Sequence, residues 1–134
     1  MVENCVFCKI AEGKLPSYKV YEDENYLAFL DKFQRTPGHV QVIPKRHYRW
    51  VYDVEDFAGY FNVVKKVAEG IKASLDPKLV HIITIGDEVP HAHVWVVPRY
   101  DNDGHGSLID IHKTIEMSDE EMQDIAKRIS NKLS

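Results

Sequence analysis

The sequence predicts an α+β fold, an antiparallel β-sheet carrying one long helix and a C-terminal helix, in a single domain over residues 1–134. Three observations predict it. Short β-branched and aromatic runs follow one another at hairpin distance over residues 18–44 and again over 79–97. Between them Phe57, Tyr60, Phe61, Val64, Val67, Ala68, Ile71 and Leu75 recur at three- and four-residue spacing, the period of one helix face. There are no repeats, low-complexity runs or Ser/Gly linkers to divide the chain.

In chain order, SYKVYEDENYLAFLD predicts two strands joined by the polar turn Glu22–Asn25, with Val20 and Tyr21 in the first and Leu27 to Leu30 in the second. The Pro37-Gly38 turn signal opens a strand of Val40, Val42 and Ile43, which Pro44 ends. The helix spans 53–75 and stops at Asp76-Pro77. LVHIITI, residues 79–85, predicts a buried strand; Gly86 to Pro90 is a turn, and residues 91–97 form the next strand, before Pro98. Ser118 followed by Glu121 is a capping box for a last helix with Met122, Ile125, Ile129 and Leu133 on its apolar face.

Composition narrows the function. A formal net charge of −4 lacks the Lys/Arg surplus of a general nucleic-acid or membrane binder. No apolar run approaches the roughly 20 residues of a membrane span. MVENCVFCKI has no basic segment followed by an apolar core, so the expected setting is cytoplasmic. Two cysteines are too few for a disulfide framework, and Cys5-x-x-Cys8 is half of a tetrahedral metal site. Either the two are free thiols or the missing ligands are histidines: His39, His47, His81, His91, His93, His105 and His112 all stand as candidates by spacing alone. A redox pair is disfavoured, because no strand precedes it and no helix pattern follows.

HAHVWVV, residues 91–97, carries the chemistry. Alternation puts His91, His93, Trp95 and Val97 on one face and Ala92, Val94 and Val96 on the other, the latter suited to packing on the helix. Imidazole is the side chain best placed to carry a nucleophile, a proton or a metal near pH 7.

PGHVQVIPKRH followed by VPHAHVWVVPR resembles the signature of the histidine triad (HIT) superfamily, and CVFCKIAEGKLPSYKVYEDENYLAFLDKF resembles the opening of its zinc-containing bacterial and archaeal members. The resemblance covers roughly residues 5–100, leaving a C-terminal loop and helix over 101–134. It implies the HIT-like fold, a homodimer and a nucleotide substrate cleaved at its α-phosphate: a nucleoside phosphoramidate, a dinucleoside polyphosphate or a nucleotide sugar. It implies His93 as the nucleophile that forms a nucleotidyl-histidine, His39 as the group orienting it, and Asp31 as acceptor of ribose hydroxyls. It further implies a structural zinc held by Cys5, Cys8, His47 and His91.

This chain departs from the pattern at three places. The third histidine position holds Trp95, which keeps one N–H donor and cannot pass a proton, so leaving groups that need no protonation are favoured. The Gly-rich loop is shortened to TIGDEVP, with Thr84 near the place of an asparagine as a substrate-binding candidate beside Trp95. Asp87 and Glu88 replace neutral donors, and two carboxylates facing a phosphate oppose binding unless they point away or a cation intervenes. Arg99, Lys45 and Arg46 offer compensating charge, and His105 and His112 are expected on the surface. The enzyme is the first reading. The alternative is a nucleotide-binding or scaffold member of the same fold that lost the reaction.

Overall fold

The computed structural model describes residues 4–133. Five strands form one antiparallel sheet in the order β1-β2-β3-β5-β4: β1 Lys19–Glu22, β2 Tyr26–Leu30, β3 Val40–Pro44, β4 Leu79–Ile83 and β5 Val94–Arg99. Helix α2, Phe57–Leu75, crosses one face, where Tyr60, Val63, Val64, Val67 and Ile71 pack on Ala28, Leu30, Val40, Val42, Val94 and Val96. Ala92, Val94 and Val96 therefore meet the helix side, as their alternation predicts. The buried Tyr60 hydroxyl donates to the Val42 carbonyl at 2.8 Å, satisfying a polar group that would otherwise be stranded in the core.

The opposite face is covered by a short helix, α1 Val6–Ala11, which the sequence pattern did not announce. Cys5 is its N-cap, with Sγ accepting from Cys8 N at 3.3 Å. Phe7, Cys5 and Cys8 then pack on Leu27, Phe29 and Ile43, so the two cysteines lie against the middle of the sheet. The last helix, α3 Asp119–Ser130, starts at Ser118 with the expected capping box to Glu121 and leans on β1 and α2. No helix among the described residues is long and apolar enough to cross a membrane.

Four expectations are corrected. Helix α2 starts at Phe57 rather than 53: residues Val51–Asp53 form a 3-10 turn, and Asp56 then caps the helix by accepting from Gly59 N. The stretch predicted as a buried strand to residue 85 is an edge strand ending at Ile83, with Leu79 and Ile82 exposed. Its apolar composition reflects an uncovered edge, which periodicity cannot tell from a buried interior strand. Residues 91–93 precede the strand rather than belong to it. Opposite Ala92 the register places Pro44, whose missing N–H cannot extend the β3 ladder. Finally, β5 runs through Pro98 to Arg99. The Pro98 carbonyl accepts from the Thr36 hydroxyl at 2.6 Å, beyond the end of the β3 ladder, so the ring nitrogen interrupts no pairing.

The loop from Asp31 to His39 turns tightly between β2 and β3. Gln34 holds it with four hydrogen bonds, donating to the Asp31 and His39 carbonyls and accepting from Gly38 N and His39 N. Gly38 has φ +98, and a Cβ there would collide with the Leu75 side chain. Gly38→Ala should therefore lower unfolding free energy by about 2–3 kcal/mol through strain and overpacking, measured by urea denaturation. A loss under about 0.5 kcal/mol would mean the loop is free to rearrange.

Candidate active site and metal centre

Four donors meet between α1 and the start of β5. Cys5 Sγ lies 3.3 Å from His91 Nδ1, and Cys8 Sγ lies 3.3 Å from His47 Nδ1 and 3.4 Å from His91 Nδ1. All four ligand atoms fall within 4.8 Å of one another. A tetrahedral zinc separates sulfur and nitrogen donors by about 3.3–3.8 Å, so the set fits such an ion with four protein ligands. Of the seven histidines left open by spacing, His47 and His91 are the ones that join the cysteines. His91 Nε2 lies 2.8 Å from the Pro44 carbonyl, which can only accept, so Nε2 carries the proton and the Nδ1 lone pair faces the thiols.

The same residue reaches the next histidine through its backbone. His93 Nδ1 donates to the His91 carbonyl at 2.7 Å, which leaves the Nε2 lone pair on the outer edge of the ring. Phe7 wedges edge-on against both rings, at 5.9 Å from His91 and 5.3 Å from His93. Burial lowers the His93 pKa, opposed by the His91 carbonyl and by Asp31, so the ring is neutral at neutral pH.

His93 lines a cleft of about 1380 Å³ together with Asp31, Gln41, Trp95, Phe29, Arg35 and residues 85–89. The Asp31 carboxylate is almost buried, and it accepts from Phe33 N at 2.7 Å and Gln41 Nε2 at 2.8 Å. Burial raises its pKa, while these donors and Arg35 oppose the rise. His39 is fully buried, with Nδ1 accepting from Arg35 N at 3.4 Å and Nε2 at 3.7 Å from Asp31. Its ring packs on Trp95 at 4.6 Å, so His39 borders Asp31 and Trp95. Thr84 does not line the cleft. Its hydroxyl donates to the His93 carbonyl at 2.9 Å, so it acts on the site through the backbone.

A model of the HIT domain matches residues 12–102. The chain belongs to the HIT family. Protein hit of Bacillus subtilis (strain 168) is 40% identical over 98% of this chain and 96% of its own length. A Zn-bound histidine triad family protein from Mycobacterium smegmatis is 30% identical, with a TM-score of 0.78 over 97% of this chain and 93% of that one. Adenosine 5'-monophosphoramidase hnt1 of Schizosaccharomyces pombe is 32% identical over 97% of this chain and 98% of its own.

The positive charge of this HIT site comes from residues that sequence reasoning passed over. Arg99 is tied to Asp103 and to the Ser107 and Gly106 carbonyls, Lys45 pairs with Glu22, and Arg46 lies exposed over Tyr48. None of the three lines the cleft, where Arg35 and Lys32 do. Arg49, stacked 3.7 Å over Trp50, acts electrostatically on His93. Trp50 in turn fixes the acidic loop, because Gly86 sits so close that a Cβ would lie 2.8 Å from its ring. Asp87 and Glu88 are exposed on the cleft wall. His105, half-buried and outside the metal group, donates from Nε2 to the Arg35 carbonyl at 3.0 Å and accepts from Asp110 N at 3.0 Å. A polar residue inside the apolar run VQV was the signal available for Gln41. Nothing in spacing pointed to Arg35.

Burial, aided by the Arg35 charge, pushes the His39 pKa from 6.5 down to about 3. The folded protein thus keeps a neutral ring where the unfolded chain takes up a proton, and stability present above pH 6.5 is lost as pH falls toward 3. Against His39→Asn, the wild type should lose up to about 1.4 kcal/mol per pH unit below 6.5, read from urea unfolding at several pH values. A difference that stays constant with pH would contradict the neutral buried ring.

Proposed function

We propose that this HIT protein is a nucleotide hydrolase or nucleotidyl transferase acting at the α-phosphate of a nucleoside phosphoramidate, dinucleoside polyphosphate or similar nucleotide. The observation that carries this reading is the His93 hydrogen bond: with Nδ1–H given to the His91 carbonyl at 2.7 Å, the Nε2 lone pair is the available nucleophile. Nε2 attacks phosphorus, a P–N bond forms, and the bond to the leaving group breaks with its electron pair, an amine leaving group taking up a proton from solvent as it departs. Water then attacks the same phosphorus, and the P–N pair returns to Nε2. Nucleoside monophosphate leaves, with one proton released to solvent.

Asp31 on the cleft wall is suited to accept ribose hydroxyls, and the apolar walls Phe29, Val6 and Ile10 are suited to a base. His39 positions Trp95 and Asp31 from behind. The HIT relative named an adenosine 5'-monophosphoramidase supports this substrate class.

In the same reading Cys5, Cys8, His47 and His91 hold a structural zinc. The ion would add a cross-link between α1 and the two segments that follow β3 and precede β5, with no open position for water. A cytoplasmic setting keeps both thiols available as ligands. The uncovered edge of β4, with Leu79 and Ile82 exposed, supports pairing of two protomers into a homodimer.

The test is mass spectrometry and product release with adenosine phosphoramidate, dinucleoside polyphosphates and a nucleotide sugar. Wild type should release nucleoside monophosphate and pass through a nucleotide-mass adduct, and His93→Ala should lack both. Folded wild-type protein giving neither across the panel would favour a binding module that lost the reaction, the reading to which Asp87, Glu88 and Trp95 lean. Native mass spectrometry should record two protomers with one zinc each. Chelation should lower the unfolding temperature by several degrees, whereas metal-free protein of unchanged stability would end the zinc assignment.

A further inference from the structure

Trp95 and Arg35 form one unit. The Arg35 guanidinium lies 4.6 Å over the Trp95 ring, in cation–π contact. Its Nε donates to the Ile111 carbonyl at 2.9 Å, and Nη1 donates to the Phe33 carbonyl at 2.6 Å and faces Asp31 at 3.3 Å. The His105 ring holds the Arg35 carbonyl. A long, flexible side chain is thus fixed in place at both ends.

That fixing leaves one edge open. Among the described residues nothing accepts a hydrogen bond from Nη2, and the side chain keeps 13% exposure on the cleft wall. Asp31, 3.3 Å from this guanidinium, acts electrostatically with both it and His93. A planar cation with unspent N–H groups, on the wall of the cleft that His93 also lines, matches a phosphate oxygen in shape and charge. Trp95 cannot fill that role itself, because its single N–H carries no charge and its nitrogen does not titrate.

Resting on the His93 reading above, we infer that Arg35, laid flat on Trp95, is the cationic donor to a non-bridging oxygen of the reacting phosphate, and that the pair selects leaving groups able to depart without a proton. Charge builds on the phosphoryl oxygens as the P–N bond forms, and a prepositioned guanidinium stabilises it. Neither Arg35 nor Trp95 can hand a proton to the departing atom, so its electron pair must be accommodated by the leaving group itself or by a proton from water.

The experiment uses the purified full chain and nucleoside 5'-aryl phosphates made with a graded series of phenols, each also as the two α-phosphorothioate diastereomers. In the wild type, kcat/KM should fall steeply as the phenol becomes less acidic, and one thio diastereomer should be strongly preferred. Arg35→Gln should cost about 10²-fold in kcat and collapse that stereopreference, as removing a charge-stabilising donor does. Arg35→Lys should restore part of both. Trp95→His should flatten the leaving-group dependence, with the least acidic phenols gaining most. A purely structural Arg35 would lower folded fraction or rate without moving the diastereomer ratio. An unchanged ratio in Arg35→Gln, in protein that still forms the His93 adduct, overturns the assignment of Arg35 alone. A wild type that forms no adduct and turns over no member of the series overturns the His93 reading and this inference together.

Discussion

His91 is the residue through which the site's parts constrain one another. Its ring donates from Nε2 to the Pro44 carbonyl and turns Nδ1 to the two thiols, while its own carbonyl accepts the hydrogen bond from His93 Nδ1–H. One residue therefore fixes three things: the end of β3, the seat of α1 and the tautomer of the next imidazole. Proline at position 44 has a part in this. By ending the β3 ladder opposite Ala92 it leaves its carbonyl to the His91 ring, a side chain instead of a strand. Breaking any one of these bonds would loosen the other two, since a His93 ring without its acceptor can adopt the tautomer in which Nε2 is protonated and unreactive.

The second constraint is the Asp31–His39 loop. Gln34 satisfies four backbone groups inside it, and β5 with the tail after it clamps the loop from outside through Thr36 to Pro98, Tyr100 to Pro37 and Ile115 N to the Gln34 carbonyl. A segment this heavily bonded can hold a carboxylate, a buried neutral imidazole and a guanidinium within a few ångströms without collapsing into an ion cluster. Asp31 stays solvated by fixed N–H donors rather than by water. That environment costs little to reorganise when charge moves in the cleft.

The fold was largely legible in the sequence because its signals are local. Alternation in HVQVI and HVWVV, the three-four spacing from Phe57 to Leu75 and the Ser118–Glu121 box each report on a few neighbouring residues, and each element exists where its pattern lies. The misses share a cause. Whether LVHII is central or at an edge, where an apolar strand begins opposite a proline, and whether six residues after Cys5 coil into a helix are all set by what packs alongside. The metal quartet was beyond spacing alone, which left seven histidines open; only the resemblance singled out His47 and His91. The Arg35–Trp95 contact joins residues 60 positions apart, and no periodicity encodes it.

Charge is divided across the cleft, although Arg35 is partly offset by Asp31 3.3 Å away on its own wall. Arg35 and Lys32 stand on the wall built by the Asp31–His39 loop, while Asp87 and Glu88 stand on the wall built by the shortened turn, anchored where Gly86 meets Trp50. A substrate with charge spread evenly along its length would meet one repulsive wall wherever it lay. The arrangement instead suits a ligand that is itself polarised, with its reacting phosphate toward the guanidinium and a neutral or cationic portion toward the carboxylates. A leaving group carrying several further phosphates would have to face Asp87 and Glu88, and that repulsion grows with each added charge. For the proposed reaction, electrostatics and the missing proton donor at position 95 favour the same choice: a leaving group weakly basic at the departing atom and poor in negative charge beyond it.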